Sequence, residues 1–204
     1  MIHPSPPSRV VLARTARRRG LTLVELLLAI SGSAVIGAAI VAMLTASAYA
    51  TDEANDMRAL VVRHKTISAR LAANIRESKQ VLATGTDYLV LWVADSDGDE
   101  VPSLMEIRRI ERDNASSTLR IRDANPAATD VVYTLTDNFT TITDTLASGS
   151  DFPSVDLAEQ ASALSFTFND GDPTAATLVT VRYTVTEGKF TDQHVVTARL
   201  RNAP

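Results

Sequence analysis

The chain has no cysteine among its 204 residues, and only 5% of its residues are aromatic. Without cysteine, a disulfide framework and thiol redox chemistry are excluded. Residues 21–82 contain no proline, and proline is the residue that most strongly interrupts a helix. Leu26 to Ala50 contains no charged residue, and an apolar helix of this length can cross a bilayer.

Charge is unevenly distributed along the chain. Residues 1–20 hold five arginines and no acidic residue, so the remaining 15 basic and 24 acidic residues give a net charge of −9, against −4 for the whole chain. The acidic remainder argues against a nucleic acid partner, because phosphates require clusters of lysine and arginine. The positive-inside rule predicts that the arginines stay cytoplasmic and that the C-terminal bulk lies across the membrane.

The most specific pattern lies where the basic and apolar segments meet. It reads Arg17-Arg18-Arg19-Gly20-Leu21-Thr22-Leu23-Val24-Glu25. A carboxylate at the entrance of a membrane segment is energetically costly and needs a partner. A new α-amino group, formed if the chain were cut after Gly20, would be such a partner for Glu25.

This junction resembles the precursors of type IV pilins and type II secretion pseudopilins, whose basic leader also ends in glycine. Leu21 stands where phenylalanine is commonest in that family. The resemblance implies that a prepilin peptidase cuts after Gly20 and methylates Leu21, and that Glu25 acts in assembly with other pilin or pseudopilin subunits. It also implies a precursor in the bacterial inner membrane, single-pass with its head in the periplasm, which then enters a filament.

Two other interpretations of the N-terminus remain open. An uncut signal anchor would have the same basic flank and apolar run, but it gives no reason for Glu25. An ordinary secretory signal would end at Ala46-Ser47-Ala48 or Ala48-Tyr49-Ala50, which match the small-residue pattern of signal peptidase sites. Cleavage after Ala48 or Ala50 would release a soluble binding domain instead of a filament subunit.

Periodicity predicts an α+β fold in which a long N-terminal helix, transmembrane and then amphipathic, packs on an antiparallel β-sheet. The pilin resemblance implies the same fold. The predicted segments are a leader (1–20), an apolar membrane or assembly helix (21–50), an amphipathic helix (51–84) and a β-sheet head (85–204). The predicted apolar stripe of the helix consists of Met57, Leu60, Val61, Ile67, Leu71, Ile75 and Leu82.

Beyond the helix, the apolar period changes to that of strands. Tyr88–Val93 is a continuous apolar run, typical of a strand covered on both faces. Val179–Thr186 alternates strictly and precedes a turn at Glu187-Gly188 and a last strand near Val195–Leu200, which predicts a half-buried hairpin. Residues 123–162 are the least regular part, with one short strand expected around Val131–Leu135.

Residues 95–106 match part of a calcium-binding loop. Asp95, Asp97, Asp99 and Glu106 occupy loop places one, three, five and twelve, and oxygen ligands with this spacing can surround one calcium ion. Glu100 departs from the pattern, because glycine normally makes the sharp turn at that place. The alternative interpretation is a solvated acidic turn between two strands.

No catalytic constellation is recognisable in the sequence, and an enzyme is not expected. His3, His64 and His194 show no ligand spacing, and the acidic residues form no pattern typical of a catalytic pair. Ala29, Ser33 and Gly37 lie four residues apart, a ridge of small side chains that permits close helix packing. Such ridges also arise by chance in alanine-rich helices.

Overall fold

The computed structural model describes residues 22–201. These residues fall into two units that divide between Tyr49 and Ala50. Two short 3-10 helices, Leu104–Glu106 and Pro173–Ala175, accompany the regular elements. In chain order these are α1 Leu23–Glu77, β1 Gln80–Thr84, β2 Tyr88–Trp92, β3 Ile107–Asp113, β4 Thr118–Asp123, α2 Phe139–Ala147, β5 Ser154–Ala158, β6 Ala161–Phe168, β7 Leu178–Glu187 and β8 Phe190–Arg199.

The described part of the first unit is the apolar half of α1. All of its residues from Thr22 to Tyr49 are exposed, including Leu23, Ile36 and Met43, which are exposed by 75%, 63% and 77%. A helix that is apolar on every side is typical of a membrane span or of a helix buried in an assembly. By length and composition it can cross a membrane.

In the second unit, the amphipathic half of α1 buries one stripe of side chains. This buried stripe consists of Leu60, His64, Ile67, Leu71, Ala72 and Ile75. Four of the predicted stripe residues are therefore confirmed. Met57 and Val61 are instead exposed by 51% and 63%. Val61 points about 100° away from Leu60, because consecutive helical residues differ by that angle, and the observed stripe is narrower than predicted.

The amphipathic helix ends at Glu77, earlier than the predicted boundary at 84. Ser78 Oγ donates to the Asn74 carbonyl oxygen at 2.7 Å, and the Lys79 N–H donates to the Trp92 carbonyl oxygen at 2.7 Å. The second bond pairs the chain with β2, and strand β1 begins at the next residue. Leu82 accordingly lies on a strand, which helical spacing alone did not indicate.

Strands β1 to β5 form an antiparallel sheet in sequential order. Strand β2 confirms the predicted strand with both faces covered, because Leu89, Val90 and Leu91 are fully buried. Leu89 and Leu91 contact the core that includes α1, whereas Val90 belongs to a second cluster with Phe139 and Phe152. The alternation of side chains along a strand produces these two opposite faces.

Strands β6, β7 and β8 form a second antiparallel sheet. Val179, Val181, Tyr183 and Val185 of β7 are all fully buried, which confirms their predicted alternation. Glu187 pairs with Phe190 across the predicted turn, where Gly188 has a φ of 55°. Both sheets share one core with Ile67, Leu71 and Ile75 of α1. The predicted α+β arrangement of a long helix and antiparallel sheets is therefore confirmed.

Residues 123–162 contain a helix that the sequence did not reveal. Asn138 caps α2 by accepting a hydrogen bond from the Thr141 N–H at 3.2 Å. The expected strand around Val131–Leu135 is reduced to a single bridge between Ser103 and Val132. Five of the nine α2 residues are threonine or isoleucine, and such β-branched residues have low helix propensity. Tertiary packing of Phe139 against the sheet overrides that propensity.

Candidate functional site: the helix start and the acidic loop

Gly20 and Leu21, the predicted cleavage and methylation residues, lie outside the described residues. The first described residue is Thr22, whose carbonyl oxygen accepts from the Leu26 N–H. Glu25 Oε2 accepts from the Thr22 N–H at 2.9 Å, and the Glu25 N–H donates to Thr22 Oγ1 at 3.3 Å. These reciprocal bonds are a capping box. Glu25 thus stabilises the start of α1, in addition to the assembly role predicted for it.

Three hydroxyl side chains of the apolar helix form hydrogen bonds within the helix itself. Ser31, Ser33 and Thr45 each donate a hydroxyl hydrogen bond of 2.7–2.9 Å to the carbonyl oxygen four residues earlier. No water is needed to pair these hydroxyls, which suits an apolar environment. On the ridge of small residues, a side chain at Gly37 would meet open space, so the surface there is free for a neighbouring helix.

The acidic loop brings three predicted metal ligands together. Carboxylate oxygens of Asp95, Asp97 and Asp99 lie within 4.8 Å of one another. Each of these side chains also accepts a backbone hydrogen bond inside the loop, from Gly98, Asp99 and Val101 respectively, at 2.9, 3.3 and 2.9 Å. Such bonds shape turns without any metal, so both interpretations of the loop share this geometry.

Glu100 has a φ of 58°, the left-handed region that favours glycine. This is the place where a calcium loop normally has glycine. The backbone therefore makes the turn that the pattern requires, although the residue is not the preferred one. A left-handed conformation costs a non-glycine residue about 1–2 kcal/mol.

Glu106, the fourth predicted ligand, is engaged elsewhere. Its carboxylate is buried and accepts from Trp92 Nε1 at 3.1 Å, from Ser96 Oγ at 2.8 Å and from the Ser103 N–H at 3.3 Å. Four side chains could hold one ion only if Glu106 exchanged some of these bonds. In the structure it anchors the loop to β2 and does not join the three aspartates.

The positively charged side chain of Lys79 contacts the acidic loop. Lys79 Nζ lies 2.9 Å from Asp95 Oδ2 and 4.0 Å from the centre of the Trp92 ring. The hydrogen bond from Lys79 is the main reason that the pKa of Asp95 is below its usual range. A metal ion at Asp95 would therefore compete with the Lys79 ammonium group.

The structure also gathers residues that sequence reasoning missed. The rings of His64 on α1 and His194 on β8 stack with centroids 4.9 Å apart, and Asp192 lies beside them. His64 and His194 are distant in sequence, so no local spacing could reveal their contact. The one available signal was the alternation of β8, which places Asp192 and His194 on the same face.

Comparison of the chain with models of protein families, with curated proteins and with solved structures finds no match. The fold is compatible with that of a pilin.

Proposed function

We propose that this chain is a structural subunit, a minor pilin or pseudopilin, of a type II secretion or type IV pilus-like filament. A prepilin peptidase cuts the precursor after Gly20 and methylates the new N-terminus at Leu21. The mature chain stays in the inner membrane through the apolar half of α1, with its head in the periplasm, until it enters the filament with other pilin or pseudopilin subunits.

The observation that carries this proposal is the position of an uncharged helix directly after the Gly20–Glu25 junction. Residues 26–50 bear no charge, and the side chains of this segment are exposed throughout. Exposing such an apolar surface to water is energetically unfavourable. The segment is therefore expected to be buried in a bilayer or in a bundle of similar helices. The same segment anchors the chain in the membrane before assembly and packs against other subunits in the filament.

The apolar surface of α1 continues past Ala50. Ala54, Met57, Val61 and Val62 line an open groove together with Arg58, and Met57 and Val62 are exposed by 51% and 65%. Exposed apolar patches of this kind mark interaction surfaces. A neighbouring subunit that packs along α1 would cover this groove.

A second candidate function is favoured by the division of the chain. The second unit begins at Ala50, beside the sequences Ala46-Ser47-Ala48 and Ala48-Tyr49-Ala50. A signal peptidase cut after Ala48 or Ala50 would release a unit with its own core as an exported binding domain. That product would lack both Glu25 and the apolar helix, and could not assemble through them.

The N-terminal sequence and intact mass of the mature protein distinguish the two functions. The filament subunit begins at a Leu21 that carries one extra methyl group and remains in the membrane fraction. The exported domain begins at Tyr49 or Thr51 and is soluble. A mature chain that still begins at Met1 would exclude both processing routes.

A further inference from the structure

A groove between α1 and β8 contains an unsatisfied buried imidazole. Its lining residues are Val61, His64, Lys65, Ser68, Asp192 and His194. His64 is only 4% exposed, and its Nε2 atom has no hydrogen-bond partner among the described residues. Buried polar atoms are nearly always paired. Nε2 is therefore a candidate for a ligand that the protein chain does not itself supply.

Neighbouring groups determine which nitrogen of His64 carries the proton. The Tyr183 hydroxyl lies 3.1 Å from the His64 carbonyl oxygen, 3.3 Å from His64 Nδ1 and 2.9 Å from Ser68 Oγ. A carbonyl oxygen can only accept, so the single Tyr183 proton goes there if all three contacts are hydrogen bonds. Nδ1–H then donates to the Tyr183 oxygen, and the lone pair of the neutral ring is on Nε2.

The atom that Nε2 faces is also an acceptor. Asp192 Oδ2 lies 3.8 Å from it, while Asp192 Oδ1 accepts from the Gln193 N–H at 2.9 Å. The carboxylate is thus oriented by its own backbone, as His64 is by Tyr183. Outer hydrogen bonds of this kind typically orient the ligands of a metal ion.

The distance between these two acceptors fits a bridging metal ion. At 3.8 Å they are too far apart for a hydrogen bond. Zinc–nitrogen and zinc–oxygen bonds of about 2.0–2.2 Å place their donor atoms about 3.3–3.5 Å apart at the tetrahedral angle, so an ion bridges the two atoms once the exposed Asp192 side chain moves a few tenths of an ångström closer. We propose that His64 Nε2 and Asp192 Oδ2 bind a divalent transition-metal ion of the zinc class, with water as its remaining ligands.

The electrostatics of the groove agree with this ion. Burial and the neighbouring His194 lower the pKa of His64, and Asp192 offsets this only in part, so the imidazole is neutral and able to coordinate at neutral pH. Imidazole donors favour zinc, copper and nickel over calcium. Lys65 lines the same groove and its charge opposes a cation, so the attraction must come from Asp192. His194 stacks against the face of His64 and is not one of the two ligands.

The test is a calorimetric titration of the tag-free, full-length chain in detergent with zinc. We expect one zinc ion that His64→Gln and Asp192→Asn each weaken at least tenfold. Asp192 has a side chain 59% exposed, so its variant is expected to fold normally even if His64→Gln does not. Asp97→Asn is the control, because it alters the acidic loop and leaves the groove intact.

Two further measurements complete the test. Tyr183→Phe removes the oxygen that orients His64 and should weaken zinc binding about 10–100-fold. Cobalt substituted for zinc should give a visible absorption spectrum that Asp192→Asn alters. The proposal is overturned if Asp192→Asn binds zinc as tightly as the unaltered chain, or if Asp97→Asn abolishes the binding instead. This inference does not depend on the filament function, since either mature product retains the groove.

Discussion

Glu25 illustrates how one side chain can serve both its own helix and an assembly. Its carboxylate closes a capping box with Thr22 at 2.9–3.0 Å, which explains an acid at this place without any partner chain. The proposed assembly role requires instead its negative charge, which would pair with the α-amino group of a neighbouring Leu21. Capping needs an acceptor oxygen, whereas ion pairing needs ionisation, so the two roles can be separated.

Two substitutions of Glu25 separate these roles. Glu25→Ala removes both, whereas Glu25→Gln retains an acceptor oxygen for the Thr22 N–H and loses only the charge. We expect both variants to insert into the membrane and to be excluded from filaments formed with wild-type subunits. The measurement is the recovery of each variant in sheared filaments relative to the membrane fraction. Normal co-assembly of Glu25→Gln would limit this residue to capping.

Processing depends on Gly20 in the proposed function. Glycine leaves the backbone at the cleavage point free of a side chain, and a branched residue there would obstruct the peptidase. Gly20→Val should accumulate as a full-length membrane precursor, visible as a higher intact mass. Ser8→Val is a suitable control within the leader, because it adds a branched side chain away from the cut. A normal mature mass for Gly20→Val would refute the predicted cleavage.

Calcium binding by the acidic loop can be tested with two variants, one expected to strengthen the binding and one expected to abolish it. Lys79 occupies Asp95 Oδ2 and Glu106 is engaged by Trp92 and Ser103, so we expect the wild type to bind only at about 10⁻⁴–10⁻³ M calcium. Lys79→Gln removes the competing charge, so its melting temperature should rise at a lower calcium concentration than that of the wild type. The melting temperature of Asp97→Ala should not change with calcium.

The measurement is the melting temperature of the full-length chain with calcium and with chelator. Binding that is specific to the folded state stabilises it by about 2.7 kcal/mol at a hundredfold excess over the dissociation constant. Magnesium at the same concentration controls for general screening of the carboxylates. If Lys79→Gln is also indifferent to calcium, the loop is a solvated turn.

At the scale of elements, an ion-pair network joins β3 and β4. Glu111 is buried and contacts three guanidinium groups, those of Arg109, Arg120 and Arg122, at 2.7–2.8 Å. Arg109 in turn reaches Asp144 of α2 at 2.6 Å and lies over the Tyr88 ring. The network therefore couples the five-stranded sheet to α2 through charge.

Glu111→Gln should destabilise the folded state by about 3–5 kcal/mol at neutral pH, since it removes the central acid from the buried Arg109 and from the half-buried Arg120 and Arg122. Burial alone would raise the pKa of Glu111, but the hydrogen bonds from Arg122 and Arg120 and the charges of Arg109 and Arg122 outweigh it and lower the pKa. Because the folded pKa lies below the unfolded value of about 4.3, this stabilisation is present above that value. It is lost as the pH falls through the folded pKa.

The corresponding experiment is chemical denaturation of wild type and variant from neutral to acid pH. The difference in unfolding free energy should be largest at neutral pH and should diminish in acid. Glu159→Gln makes the same chemical change at an exposed position and should change stability by no more than about 0.5 kcal/mol. An equal difference at all pH values would show that the Glu111 charge does not contribute.

At the scale of the whole molecule, the sequence predicted the elements whose periodicity reflects burial. The stripe from Leu60 to Ile75 and the alternation of Val179–Val185 both follow from one covered face. The end of α1 at Glu77 was not predictable, because the deciding bond from Lys79 to Trp92 depends on the sheet. Helix α2 was hidden for a similar reason, since its threonines disfavour a helix that packing nevertheless stabilises.

The contacts of the candidate sites also differ in how far the sequence could predict them. Asp95, Asp97 and Asp99 are near in sequence and therefore near in space, so their cluster was predictable. The commitment of Glu106 to Trp92 and Ser103 was not, because it depends on how the loop meets β2. The contact of His64 with Asp192 depends on α1 and β8, which are far apart in sequence, and only the folded chain could show it.

The wide sequence separation of the core has a consequence for biosynthesis. Tyr183 contacts His64 across 119 residues, so the apolar stripe of α1 is synthesised long before β7 exists to cover it. At about 5–20 residues per second, that interval lasts about 6–24 s. Non-local pairing of this kind also slows folding itself. During this time the nascent helix exposes its apolar stripe, which makes the newly made chain vulnerable to aggregation and proteolysis.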